Sequence, residues 1–169
     1  AALEDREGIS ALGQLAVIGQ QLPAQLPPSR PELEAHFLAL HQSDRSSQLI
    51  HSLSRMTHTL EQATAMLDSP EAGLLNVFVT FYAGEIQPYM AQLQRLGQPW
   101  EQSVSALAEA PGIPPATADY LQVLATGPDS LWQRYQRQLA AHSQAWQNVL
   151  GACQLRPGQS GWESATRSD

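Results

Sequence analysis

The chain has 169 residues, 43% of them apolar and 15% charged, with 16 acidic side chains against 9 basic ones and a single cysteine. That length suits one compact domain rather than two well-formed cores. All nine basic residues are arginine and the net charge is -7, which removes the lysine needed by a Walker A loop or a Schiff base and opposes binding to nucleic acid, where clustered cations must neutralise phosphates.

Taken in chain order, proline and glycine divide the sequence, and between them apolar residues recur at helical spacing with little alternation of the strand type. The expected fold is all-α: a single-domain helical bundle of five or six helices with a kinked central helix, spanning residues 1–155, followed by a flexible C-terminal tail over 156–169. The first helix is expected from Leu3 to Gln21 on the spacing of Ile9, Leu12, Leu15, Ala16, Ile18 and Leu22, with Gly8, Gly13 and Gly19 each weakening it by about 1 kcal/mol. Pro23, Pro27 and Pro28 then impose an extended connector. Ser29, Pro31 and Glu32 form a helix start in which serine and glutamate can exchange capping bonds. The helix that follows carries Leu33, Phe37 and Leu40, and meets a polar break at Ser43 to Ser47. The stripe Leu49, Leu53, Met56, Leu60, Ala63, Leu67 alternates by three and four over nearly three heptads, as a long amphipathic helix requires.

Asp68, Ser69 and Pro70 mark the next stop and start. The run Leu74 to Tyr82 is apolar on almost every side, is interrupted by Asn76 and Thr80, and falls short of the roughly 18 residues of a membrane span, so no such span is expected. A lone strand there would have no partner for its backbone, and a central buried helix is the expectation. Pro88 should kink or end that helix near Ile86, with a continuation through Met90, Leu93 and Leu96 to Gly97. After Gln98 and Pro99 two short helices are expected, Trp100 to Ala110 and Ala116 to Thr126, the second stopped by Gly127. The last long helix opens at Pro128 and carries the stripe Leu131, Tyr135, Leu139, His142, Trp146, Val149, Cys153. One cysteine can form neither an internal disulfide nor a cysteine-type zinc site, so Cys153 reads as a small packed residue near a helix end. The first residue is alanine, which fits a processed form or a piece of a longer chain, and a cytoplasmic setting is slightly favoured.

Chemistry-bearing residues are sparse. His51 and His58 stand seven apart on one helix face, too far along it to share a metal ion, and read as part of a solvated surface. His36 and His41 are no better placed, although His41 and Asp44 are near enough in sequence to pair. Glu85 interrupts an apolar segment where it emerges. No HExxH, GxSxG, EF-hand, GxGxxG or ExxH pattern occurs, so no metal, no cofactor and no catalytic residue is assigned. The expected function is a non-enzymatic binding protein, an adaptor, accessory subunit or chaperone, that presents an apolar groove to a protein partner. Its adjustable surface would lie between Gly84 and Gly97 and just beyond, with Tyr89, Met90, Leu93 and Trp100 as contact residues. The alternative is a small-molecule sensor or carrier whose apolar cavity is lined by Phe78, Tyr82, Tyr135, His142 and Trp146, with His142 either hydrogen-bonded in the core or touching the ligand.

Two family comparisons add to this. Histidine phosphotransfer domains are also acidic helical bundles, but the context His51, Ser52, Leu53, Ser54, Arg55, Met56 lacks the lysine and glycine turn of that family. The segment from Ala110, Pro111 and Gly112 through Tyr135, Gln136 and Leu139 to Leu150 and Gly151 is similar to the helical core of the accessory subunit of class III polyhydroxyalkanoate synthases. That resemblance, over some 40 residues, implies an accessory subunit of a polyhydroxyalkanoate synthase.

Overall fold

The fold was described from a computed structural model, over residues 7–22, 29–67 and 78–156. The described residues are all-α and contain no strand. Six α-helices occur among them: α1 (Glu7–Gln21), α2 (Arg30–Gln42), α3 (Arg45–Met66), α4 (Gln87–Ala108), α5 (Pro115–Leu121) and α6 (Leu131–Ala152). Two π-helical segments, Phe78–Ile86 and Gln122–Thr126, precede α4 and follow α5. No helix among the described residues is long and apolar enough to cross a membrane.

The chain forms two compact units. Of the described residues, the first holds 7–22, 29–55 and 92–135, and the second 56–67, 78–91 and 136–156. In the first unit α1 packs on α2, and the α1 residue Gln20 donates its side-chain amide to the carbonyl of Ala106 on α4 at 3.4 Å. Leu49, Leu53, Leu93, Trp100 and Tyr135 are fully buried there, each contributing roughly 1.5–3 kcal/mol by leaving water. In the second unit the burial of Met56, Leu60, Leu67, Tyr82, Trp146 and Leu150 marks the core. The stripe of α3 is thus buried as its spacing predicts, and that of α6 is buried or half-buried from Leu131 to Val149. Its last member departs: Cys153 is exposed, because α6 ends at Ala152 and the chain has already turned away.

Local chemistry sets the ends. Glu32 accepts bonds from the Ser29 backbone N–H at 3.0 Å and from its hydroxyl at 2.7 Å, tying down the start of α2 as the sequence suggests. These bonds, the hydroxyl's first, hold the Glu32 carboxyl below its ordinary pKa. Pro128 does not open α6. Ser130 caps it instead, accepting from the Gln133 N–H at 3.3 Å while donating to the Ala125 carbonyl at 2.9 Å, the N-cap arrangement that satisfies a free amide of the first turn. At the other end the guanidinium of Arg156 reaches the Gln147 carbonyl at 2.6 and 3.2 Å, so the expected tail begins with a residue bonded to α6; residues 157–169 lie outside the described residues, as do the start of the first helix before Glu7, the connector over 23–28, the stop over 68–70 and the first part of the apolar run, Leu74 to Val77.

The central helix departs from expectation in two places. Near Ile86 it changes from π-helical to α-helical winding, next to Pro88, where a kink was expected. Beyond it, α4 runs unbroken through Gly97 and Pro99 to Ala108, so the expected stop and the separate helix Trp100 to Ala110 merge into one element. The proline costs the Arg95 carbonyl its α-helical partner. Buried residues continue in phase on both sides of it, at Leu93, Leu96, Trp100 and Val104, and their burial holds the two halves as one helix. Gly97 is a slot and not a stop: a Cβ there would strike the ring of Trp132.

Candidate functional site

The aromatic residues expected to line a cavity are brought together only in part. Phe78 and Tyr82 sit one turn apart on the π-helical segment and face Trp146 of α6, with ring centroids 5.4 Å apart for Phe78 and Tyr82, 4.8 Å for Phe78 and Trp146, and 5.1 Å for Tyr82 and Trp146. Tyr82 also meets the edge of His142 at 5.2 Å. At such separations rings are in contact, and the cluster fills the space it was expected to enclose. Tyr135 belongs to the first unit, where it pairs with Trp132 at 5.7 Å. The other four meet in the second unit as a cluster of rings in contact.

His142, only 2% exposed, is the best-defined polar group of the second unit. Its Nε2 lies 3.0 Å from the indole Nε1 of Trp146, and indole N–H only donates, so Nε2 is the bare nitrogen. The proton therefore resides on Nδ1, 2.9 Å from the hydroxyl of Thr64 on α3. That hydroxyl in turn donates to the Leu60 carbonyl at 2.6 Å. Every donor in the chain has an acceptor, and the ring is neutral. Burial pushes its pKa below the ordinary 6.5, because desolvation penalises the imidazolium. Of the two roles foreseen for His142, the hydrogen-bonded core residue is the one its contacts describe.

The expected partner surface also needs correction. Met90, Leu93 and Trp100 are 4%, 0% and 1% exposed, and Tyr89 is half-buried; they face inward because they carry the three-to-four stripe of α4 itself. The remaining histidines lie apart: His41, His51 and His58 are exposed, with His58 3.9 Å from Glu61, and His36 is half-buried. Glu85 is exposed. Among the described residues no three His, Cys, Asp or Glu side chains stand close enough to hold a metal ion.

A cleft does open in the first unit, on residues that the sequence did not single out for binding. Its volume is about 480 Å³, and it lies between α1, through Ile9, Ser10, Gly13, Ala16 and Val17, and α4, through Arg95, Leu96, Pro99, Gln102, Ser103 and Ala106. Ile9, Ala16, Leu96 and Ser103 are buried and make the floor. Ser103 turns its hydroxyl into its own helix, donating to the Pro99 carbonyl at 2.8 Å, so the floor presents mainly carbon. Ser10, Val17, Arg95 and Gln102 are exposed along the rim. Small residues on both walls create the volume, since α1 and α4 come close at Gly13, where a Cβ would stand 3.2 Å from the Ser103 hydroxyl. The signal was present in the sequence as Gly13 and Ala16 on one stripe and Ser103 and Ala106 on another, each pair three residues apart. Arg95 is the cation of the cleft, and no described carboxylate pairs with it.

Residues 2–157 match the family model described as "Protein of unknown function (DUF3080)". No curated protein and no solved structure matches the chain.

Proposed function

The chain belongs to the DUF3080 family, and from that footing we propose that it is a non-enzymatic binding protein whose α1/α4 cleft receives an apolar anchor of a protein partner. The observation that supports this reading is the cleft itself: a carbon floor at Ile9, Ala16 and Leu96 with polar groups held to its rim. A volume of about 480 Å³ accommodates a few apolar side chains rather than a whole helix, as when an amphipathic segment sets its anchors into a groove. Arg95 at the edge favours a partner with a carboxylate beside that anchor, because the guanidinium fork offers paired donors to one planar anion. The lining groups give no nucleophile and base within reach of each other, which turns the reading toward recognition and away from turnover.

A photo-activated crosslinker in place of the exposed rim residue Val17 tests this in cells. The expected result is one protein adduct that maps to a segment with an acidic residue next to a large apolar one. It should be lost with Arg95→Glu and should be absent when the crosslinker replaces exposed Arg134 on α6. The same adducts from both positions would overturn the reading. A bound small molecule seen by native mass spectrometry and displaced by Val17→Trp would replace the protein partner with an apolar ligand in the same cleft.

A further inference from the structure

The second unit contains an arrangement that binding in the first does not use. Phe78 and Tyr82 hold the π-helical segment Phe78–Ile86 against α6, and their contacts meet at Trp146 and His142. A π-helix of nine residues is an unusual winding, since such turns mostly appear singly within α-helices and often at functional sites. Among the described contacts, the rings of Phe78 and Tyr82 join it to α6. It docks against a histidine whose protonation state is fixed by its neighbours.

We propose that His142 is a proton-operated latch: uptake of a proton on Nε2 breaks the contact with Trp146 and releases the segment Phe78–Ile86 from α6. The closed latch has a single proton arrangement. Trp146 donates to Nε2, Nδ1–H donates to Thr64, and Thr64 donates to the Leu60 carbonyl. A second ring proton has one place to go, and there it meets the indole N–H head-on. Two donors at 3.0 Å repel, and no carboxylate among the described residues bonds to the ring to accept the new proton. Trp146 must therefore swing away, and with it goes the surface on which Phe78 and Tyr82 rest.

The groups around the ring leave His142 as the one that responds. From the π-helical segment the facing titratable group is Tyr82, whose hydroxyl is pushed up by burial against the opposing effect of its bonds to Ser143 and Gln87, so it stays neutral throughout. Glu85 on the same segment is exposed. From α3 come Glu61, which accepts from Gln138 at 3.3 Å, and His58, both on the exposed side. On α6 itself the charged residues before His142 are Arg134 and Arg137, also exposed. None of these carboxylates bonds to the ring, and none can stabilise the imidazolium in place.

Linkage sets the direction. A released imidazole takes its proton near the ordinary 6.5, while the latched ring resists it. Below that pH the open form binds more protons than the closed one and gains on it, and above it the latch is fully closed. Between about pH 7.5 and about pH 5.5 the open-to-closed ratio rises by at most about tenfold.

Hydrogen exchange of residues 78–86 in the full chain, followed by mass spectrometry at those two pH values and corrected for intrinsic exchange, reads this ratio. The wild type should lose up to about tenfold protection in this segment while residues 93–104 of α4 keep theirs. His142→Gln supplies an acceptor for Trp146 and a donor for Thr64 without a titratable nitrogen, and should abolish the pH response; His58→Gln should leave it intact. Equal pH responses in wild type and His142→Gln, or none in the wild type, would overturn the latch. Should the variant not fold, nitrogen-15 shifts of His142 in the wild type decide alone: a neutral ring protonated on Nδ1 at about pH 7.5 that gains its second proton together with the loss of protection supports the latch, and any other tautomer or an uncoupled titration sinks it.

Discussion

Gly97→Ala tests the account of α4 by the sign of its effect. If Gly97 sat within a helix without tertiary contact, alanine would add about 1 kcal/mol of helix propensity. The structure gives the opposite sign. A Cβ at this position would lie 2.6 Å from Cη2 and 3.0 Å from Cε3 of Trp132, and closer still to Cζ3, well inside van der Waals contact. Trp132 has little freedom to yield: it is 5% exposed and its ring meets Tyr135 at 5.7 Å. Forcing an added methyl into a packed site costs about 1–3 kcal/mol, and more where a large ring must leave its well. After the propensity gain a net loss of up to about 2 kcal/mol is expected, read as a lower urea midpoint at unchanged slope. Trp132→Leu removes the obstructing ring, so in that background Gly97→Ala should lose its penalty and show a coupling of about 1–3 kcal/mol in the double-mutant cycle. A stabilising Gly97→Ala in the wild type, or zero coupling to Trp132, would refute the slot.

Further substitutions probe separate steps of the reasoning. Pro99→Ala restores an amide that can bond the Arg95 carbonyl within α4 and should raise stability by about 1–3 kcal/mol; no change would mean that the helix is broken there after all. Ser130→Ala leaves an N-terminal amide of α6 and the Ala125 carbonyl without their shared partner, for an expected loss of about 1–2 kcal/mol in chemical denaturation. Thr64→Val strands the Nδ1 proton of His142 in a buried site and should cost about 1–3 kcal/mol near neutral pH, while Thr64→Ser, which keeps the hydroxyl, should cost less. Glu32 has a folded pKa below its ordinary 4.5, so its contribution is complete above that value and is lost as pH falls through the folded one; the carboxyl carbon shift of Glu32 should titrate below that ordinary value, and Ser29→Ala should move it back toward it.

Much of the fold was legible because burial writes a period into the chain. The stripe from Leu49 to Leu67 and that from Leu131 to Val149 each repeat by three and four, and both are turned inward. The misreading at Gly97 and Pro99 shows the weakness of local punctuation. Proline disfavours a helix by a few kcal/mol, but Leu93, Leu96, Trp100 and Val104 together bury several times that, and they keep phase across the proline without a skipped residue. Phase across a breaker is evidence that outweighs the breaker, and it was available in the sequence. The replacement of Pro128 by Ser130 as the start of α6 was less accessible, since the serine's role depends on the Ala125 carbonyl at the end of a π-helical turn.

The site was legible to a smaller degree, for a reason that concerns volume. Aromatic residues invite the idea of a pocket because they line many, yet large side chains on one helical face are also the ones that fill space most completely. Phe78, Tyr82 and Trp146 do so, closing on one another and on His142. Empty space arises where side chains are short, and in this chain the cleft runs along Gly13, Ala16 and Ala106 between α1 and α4. Those small residues looked like weak points of a helix when read singly. Their meaning depends on α1 lying against α4, a pairing of segments some 90 residues apart that no local pattern encodes. The binding surface is consequently defined by what is missing from two stripes, and filling it tests it most directly: Ala106→Phe should consume part of the cleft and weaken partner capture at Val17, whereas Ala118→Phe on α5, outside the cleft lining, should leave capture as it was.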